Sequence, residues 1–175
     1  SFPNNYQLKQ GGYNDPNIYW ENLNNVGAIL HCHYSGLAGI FTPDDIIFMA
    51  KIFMGNYTQD SANLFAAIAT NNGPYLIKIT DTASFRKMAN KIYSSTDSSV
   101  AKKFKDENVE KFNWLTDSIA NELGFLKMLE KFKKGGGLSL YKGNTDCNKW
   151  SALSYSATLP QSGPPVYSVG KKNCF

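Results

Sequence analysis

Histidine is nearly absent from this sequence: there are two, and both fall in one tripeptide, His31-Cys32-His33. Cysteine is scarce as well. Three of them cannot make the even-numbered framework that staples small disulfide-rich domains. A bond between Cys147 and Cys174 in the C-terminal part is one option, closing a loop worth about 3–4 kcal/mol in the chain-entropy account. Such a bond would put the protein outside the cytosol. No apolar run approaches the roughly 18 residues that a membrane-spanning helix requires, so no span is expected. The start, SFPNNYQ, has no signal-like apolar segment and no methionine, as in a processed or truncated chain. There is no internal repeat.

Against these absences stands an ordinary apolar content, 42%, with 14% aromatic residues in 175 positions. A chain of this length buries roughly 70% of its unfolded surface. It therefore has a core of its own and needs no metal to fold. The net charge of +4 is unevenly spread: residues 1–81 hold three lysines against six acidic residues, and residues 82–175 hold fifteen basic against eight acidic. The lysines of the second half alternate with Glu and Asp, which reads as a solvated helical face. No nucleic-acid partner is expected from it.

Residues 1–16 show no periodicity and read as irregular. A strand at 17–22 and a buried strand from Val26 to His33 are expected, paired as a hairpin around Leu23 to Asn25. A helix follows from Pro43 to about Met54, apolar nearly all round, and Gly55 stops it. Two strands, Ala62–Thr70 and Pro74–Thr80, join at Asn71-Asn72-Gly73, residues that tolerate the positive φ of a tight hairpin. From Asp81 the pattern turns helical: Thr82 to about Ser94, then most of Val100 to Lys133 with a joint near Asp106 to Val109. Val109, Phe112, Leu115, Ile119, Leu123, Leu126 and Leu129 recur at three and four, a stripe expected to pack on the sheet. Gly135-Gly136-Gly137 ends the helical part. LSLYKG and WSALSYSATL are strand candidates, and PQSGPPVYSVGKKNCF reads as irregular. The expectation is a mixed α/β fold: a core over 1–81 whose sheet includes the His-x-His strand, a helical part over 82–134 packed on it, and an appendage over 135–175, together one compact domain.

Residues two apart in a strand leave the same face, so His31 and His33 project together and Cys32 projects opposite, where it is expected as a buried small apolar residue. Thr42 is a candidate N-cap, Pro43 suits the first helical position, and Asp44 and Asp45 fall in the first turn, where the helix dipole favours negative charge. Taken alone, T-P-D-D is simply a good helix start. If the loop from Gly36 to Gly39 folds that start back over the strand, His31, His33 and Asp45 supply three ligands and leave a fourth position open, the arrangement of a catalytic zinc site.

His31-Cys32-His33, eight intervening residues, then Thr42-Pro43-Asp44-Asp45 resembles the signature of the JAMM (MPN-type) zinc metallopeptidases, which cleave peptide or isopeptide bonds. The resemblance covers roughly residues 17 to 80. It implies His31, His33 and Asp45 as zinc ligands and Thr42 in the position whose hydroxyl steadies the tetrahedral intermediate, with a peptide or protein as substrate. The loop is one residue longer than usual, Thr stands for Ser, and Tyr34 stands where Pro is common. The family's general base is a Glu from an earlier strand. Glu21, the one Glu ahead of His31, would sit in the hairpin roughly 13–20 Å along the strand from the histidines, at 3.3 Å per residue. The base is therefore expected upstream of this chain, or absent, and in the latter case the domain is a silent binding or scaffolding module. The C-terminal part is similar to accessories of secreted or lipid-anchored bacterial proteins, implying an extracytoplasmic location.

Overall fold

A computed structural model describes residues 20, 23–34, 36–58, 60–109, 118–158, 162 and 166–174. The expected hairpin partner around Glu21 and the stripe residues Phe112 and Leu115 lie outside them. Among the described residues the elements run β1 (Ala28–Cys32), α1 (Pro43–Met54), β2 (Phe65–Thr70), β3 (Gly73–Ile79), α2 (Thr82–Ile92), α3 (Ser98–Val109), α4 (Ser118–Glu130), β4 (Leu138–Gly143), β5 (Trp150–Thr158) and β6 (Val166–Asn173). The six strands form one sheet in sequence order. β1 and β2 are parallel across the α1 crossover, and every later pair is antiparallel. The fold is thus mixed α/β. No described helix is long and apolar enough to cross a membrane.

Register explains why one side of the sheet is core. The partners His31, Ile68, Tyr75 and Lys142 form one row across four strands, and paired residues share a face. On that face Ile29, Ala66, Ile68, Tyr75, Ile77, Ile79, Leu138, Leu140 and Leu153 are buried against the helices. Among the described residues, no strand residue of the opposite face is buried. The strand 26–33, read as buried on both sides, is therefore buried on one: Leu30 is 66% exposed, and Cys32 is exposed instead of buried.

Three further differences from the sequence reading have local causes. The tail read as irregular carries β6, because its alternation is broken by Gly170 and two lysines and its order comes from eight residue pairs with β5. β4, β5 and β6 continue the sheet of the N-terminal part, since β4 pairs along β3 from Tyr75 to Ile79. Cys147 and Cys174 are free and exposed. The first sits in the β4–β5 turn at φ 56 with its carbonyl taken by the Trp150 indole N–H, and the second turns its thiol to the Lys172 carbonyl.

The helical stripe also differs. Ile119 is 62% exposed, whereas Asn121 and Glu122, both 1% exposed, face the core. Glu122 accepts the Tyr75 hydroxyl at 2.8 Å and the Lys142 ammonium at 2.7 Å on the same oxygen. Burial, then the bond to the Glu122 carboxylate, pushes the Tyr75 phenol upward. This network ties α4 to β3 and β4. Glu122→Gln keeps the shape but weakens two charge-assisted bonds, so we expect a loss of about 2 kcal/mol in urea unfolding.

The junction between β3 and α2 is held by a carboxylate. Asp81 caps α2 by accepting Ser84 N–H at 2.9 Å and pairs with Lys134 at 3.0 Å. The Ser84 backbone bond and then the Lys134 bond lower its carboxyl from 3.8 to about 2. A depressed folded-state value means the contribution is complete above pH 4 and disappears as pH falls toward 2. The stability gap between wild type and Asp81→Asn should therefore be constant from pH 5 to 7 and close between pH 4 and 2 in acid-unfolding curves.

Candidate metal centre

His31 lies near the C-terminal end of β1 and His33 one residue beyond it, and α1 begins at the same end of the sheet. The His33 backbone N–H bonds Ala69 O at 2.8 Å, continuing the β1–β2 pairing to the second histidine. The loop between them runs beside the next strand at Thr70, whose hydroxyl lies 2.9 Å from Gly73 O and 3.3 Å from Gly39 O. Thr42 has the extended backbone of an N-cap (φ −105°, ψ 169°), and Pro43 opens the helix. The two aspartates of the first turn then separate: Asp44 pairs outward with Lys105 of α3 at 2.7 Å, while Asp45 turns to the histidines.

The three side chains converge. His31 Nε2 lies 2.9 Å from Asp45 Oδ1 and 3.1 Å from His33 Nε2, and His33 Nε2 lies 3.9 Å from Asp45 Oδ2. One ligand atom from each falls within 4.8 Å of the others, so the group can hold a metal ion. Among the described residues no fourth His, Cys, Asp or Glu joins it. Cys32 projects to the opposite face and is not part of it.

Hydrogen bonds orient the donors. His33 Nδ1 lies 2.7 Å from Ala38 O. A carbonyl only accepts, so Nδ1 carries a proton, which leaves Nε2 as the nitrogen whose lone pair a metal ion would take. Asp45 Oδ2 accepts the Thr42 backbone N–H at 2.6 Å and the Thr42 hydroxyl at 2.9 Å, which leaves Oδ1 facing His31. These are the outer contacts that fix ligand orientation in metal sites. Burial raises the Asp45 carboxyl, but the His31 hydrogen bond, the positive charge that His31 and His33 carry when protonated and the Thr42 N–H together bring it below its ordinary value. It is thus an anion, with its side chain 14% exposed.

The structure therefore brings His31, His33, Thr42 and Asp45 together. Glu21 lies outside the described residues. Sequence reasoning missed the inner role of Thr42, whose hydroxyl is spent on Asp45. The capping-box spacing, with Asp three residues after Thr, was the available signal. No family model, curated protein or solved structure matches the chain.

Proposed function

We propose that the chain binds a zinc ion through His31 Nε2, His33 Nε2 and Asp45 Oδ1, and that it uses the ion to hydrolyse peptide or isopeptide bonds. The observation that carries the metal is distance. Zinc bonds of 2.0–2.1 Å in a tetrahedron put neighbouring ligand atoms roughly 3.3 Å apart. The two closest separations here, 2.9 and 3.1 Å, lie within a few tenths of that edge. Two nitrogens and one carboxylate oxygen are also the donor set of catalytic zinc.

When bound, zinc supplies Lewis acidity and a nucleophile at neutral pH. The chain supplies orientation. Ala38 O holds the His33 tautomer, and Thr42 holds Asp45. One hydroxyl proton serves one acceptor at a time, so Thr42 reaches a developing oxyanion, as the JAMM resemblance implies, only by releasing Asp45 Oδ2.

A second reading, a metal-binding module without turnover, is favoured by the lack, among the described residues, of a second carboxylate in the cluster. General acid–base help is worth 10²–10⁴-fold in rate. Reconstituting the chelator-stripped protein with zinc and following cleavage of a casein or ubiquitin-tail peptide separates the two. Zinc-dependent cleavage, lost again on chelation, supports the hydrolase. Zinc uptake at one per chain with no cleavage leaves the binding module.

A further inference from the structure

We infer that Asn72, at the tip of the β2–β3 hairpin, is a positioning residue of the metal centre, acting through Gly39 and the Ala38 carbonyl on His33. This role rests on the reading of His31, His33 and Asp45 as a metal site.

The chain of contacts starts at the ligand. His33 lies one residue past β1, and the bond from its backbone N–H to Ala69 O at 2.8 Å fixes the main chain but leaves the ring free to turn about its side-chain torsions. What holds the ring is Nδ1, 2.7 Å from Ala38 O. An imidazole is rigid, so a shift of that carbonyl swings Nε2 off the point it shares with His31 and Asp45. Outer contacts of this kind set ligand orientation, and metal affinity is sensitive to them.

Asn72 bears on the residue next to that carbonyl. A Cβ at Gly39 would stand 2.2 Å from Asn72 Nδ2, 3.2 Å from its Cγ and 3.8 Å from its Cβ, and these are the three nearest atoms. The carboxamide therefore fills the room in which any other residue at 39 would carry its side chain. Backbone conformation does not explain the glycine, because the positive φ of this loop falls at Gly36 and not at Gly39. Nor does it explain the asparagine. The turn takes its positive φ at Gly73, Asn72 has none, and a turn position of that kind accepts most residues. Glycine at 39 and asparagine at 72 account for each other through close approach.

The hairpin is braced to carry this contact. Thr70 Oγ1 accepts the Asn72 N–H at 3.0 Å and lies 2.9 Å from Gly73 O. Its one proton serves the nearer carbonyl, so the 3.3 Å approach to Gly39 O adds little. The Asn72 carboxamide is then the contact that passes from hairpin to loop. Beyond Gly39 the loop is anchored by the buried Ile40 and Phe41, so the support falls on the stretch between that anchor and His33.

The test titrates zinc into the chelator-stripped chain against a competing chromophoric chelator, for wild type, Asn72→Ala, Gly39→Ala and the double variant. Each single variant should weaken zinc binding at least tenfold while circular dichroism stays native: the first empties the seat, and the second drives a methyl against Asn72 Cγ. In the double variant the new methyl meets the Cβ of residue 72 at 3.8 Å, an ordinary contact, and affinity should return to within about threefold of wild type, a coupling that independent sites do not show. Cobalt-loaded single variants should have altered visible ligand-field bands, restored in the double variant. A second arm needs no metal. Nuclear magnetic resonance of the isotope-labelled, metal-free chain should find the His33 proton on Nδ1, and Asn72→Ala should move part of the population to Nε2. Single variants that bind zinc as wild type does, losses that simply add in the double variant, or a His33 tautomer indifferent to Asn72→Ala each overturn the role of Asn72. A wild-type chain that takes up no zinc, while its His33 tautomer still depends on Asn72, sinks the metal reading and supports the hold of Asn72 on His33.

Discussion

Replacing His31 or Asp45 by alanine should abolish zinc binding. Metal content measured after exhaustive dialysis of untagged protein should fall from near one ion per chain to near zero, with Kd raised by more than about 100-fold. The size follows from what remains. Losing either side chain leaves two protein donors where catalytic zinc requires three, and even outer-shell substitutions commonly cost 10–100-fold in affinity. Thr42→Val, which removes one of two donors to Asp45 Oδ2, should fall in that milder range. Asp44→Asn is the control. Asp44 faces Lys105, so its removal should leave affinity within about twofold. The same series has a stability readout. Zinc at a hundred times its Kd stabilises the folded chain by about 2.7 kcal/mol, or a rise in Tm of about 5–10 °C for a domain of this size. That rise should vanish in His31→Ala and Asp45→Ala. Wild-type protein carrying as little zinc as the variants would sink the metal centre.

The convergence was legible because every step from sequence to site is local. Period two places His31 and His33 on one face, T-P-D-D starts a helix at Pro43, and a short loop returns that helix to the strand it left. The hairpin at Asn71–Asn72 and the strand LSLYKG were readable for the same reason, since turn chemistry and alternation reside in the residues themselves. What failed depended on partners. Whether Leu30 and Cys32 are buried is decided by a layer that sequence spacing does not mention. Glu122 sits where a helical stripe calls for an apolar residue, and only the approach of Tyr75 and Lys142 across 47 and 20 residues makes its burial tolerable. β6 lacks a strong pattern and is ordered by β5.

The three glycines at 135–137 mark a terminator in sequence, but their physical task is more specific, and it sets the largest stability change we expect. Four residues in succession, Lys134 at φ 54, Gly135 at 60, Gly136 at 65 and Gly137 at 73, take the left-handed conformation, which costs a residue with a Cβ roughly 1–2 kcal/mol. Lys134 recovers a part of its own cost through the exposed ion pair with Asp81. Gly137 has no such recourse, because its carbonyl accepts the Thr80 N–H at 2.8 Å and the Asp81 N–H at 3.2 Å. A Cβ at Gly137 would stand 2.1 Å from Asp81 O and 2.6 Å from Phe85 N, inside the first turn of α2. Backbone cannot rotate aside as a side chain does, so Gly137→Ala must either push β4 off β3 or break the α2 cap. Adding about 1–3 kcal/mol for overpacking to the left-handed cost gives an expected destabilisation of about 3–5 kcal/mol. Gly135→Ala, where nothing lies within 4 Å of the added carbon, should cost only the conformational part, about 1–2 kcal/mol. Urea unfolding of the two variants side by side measures the difference, and equal losses would show that the Gly137 contact with α2 carries no weight.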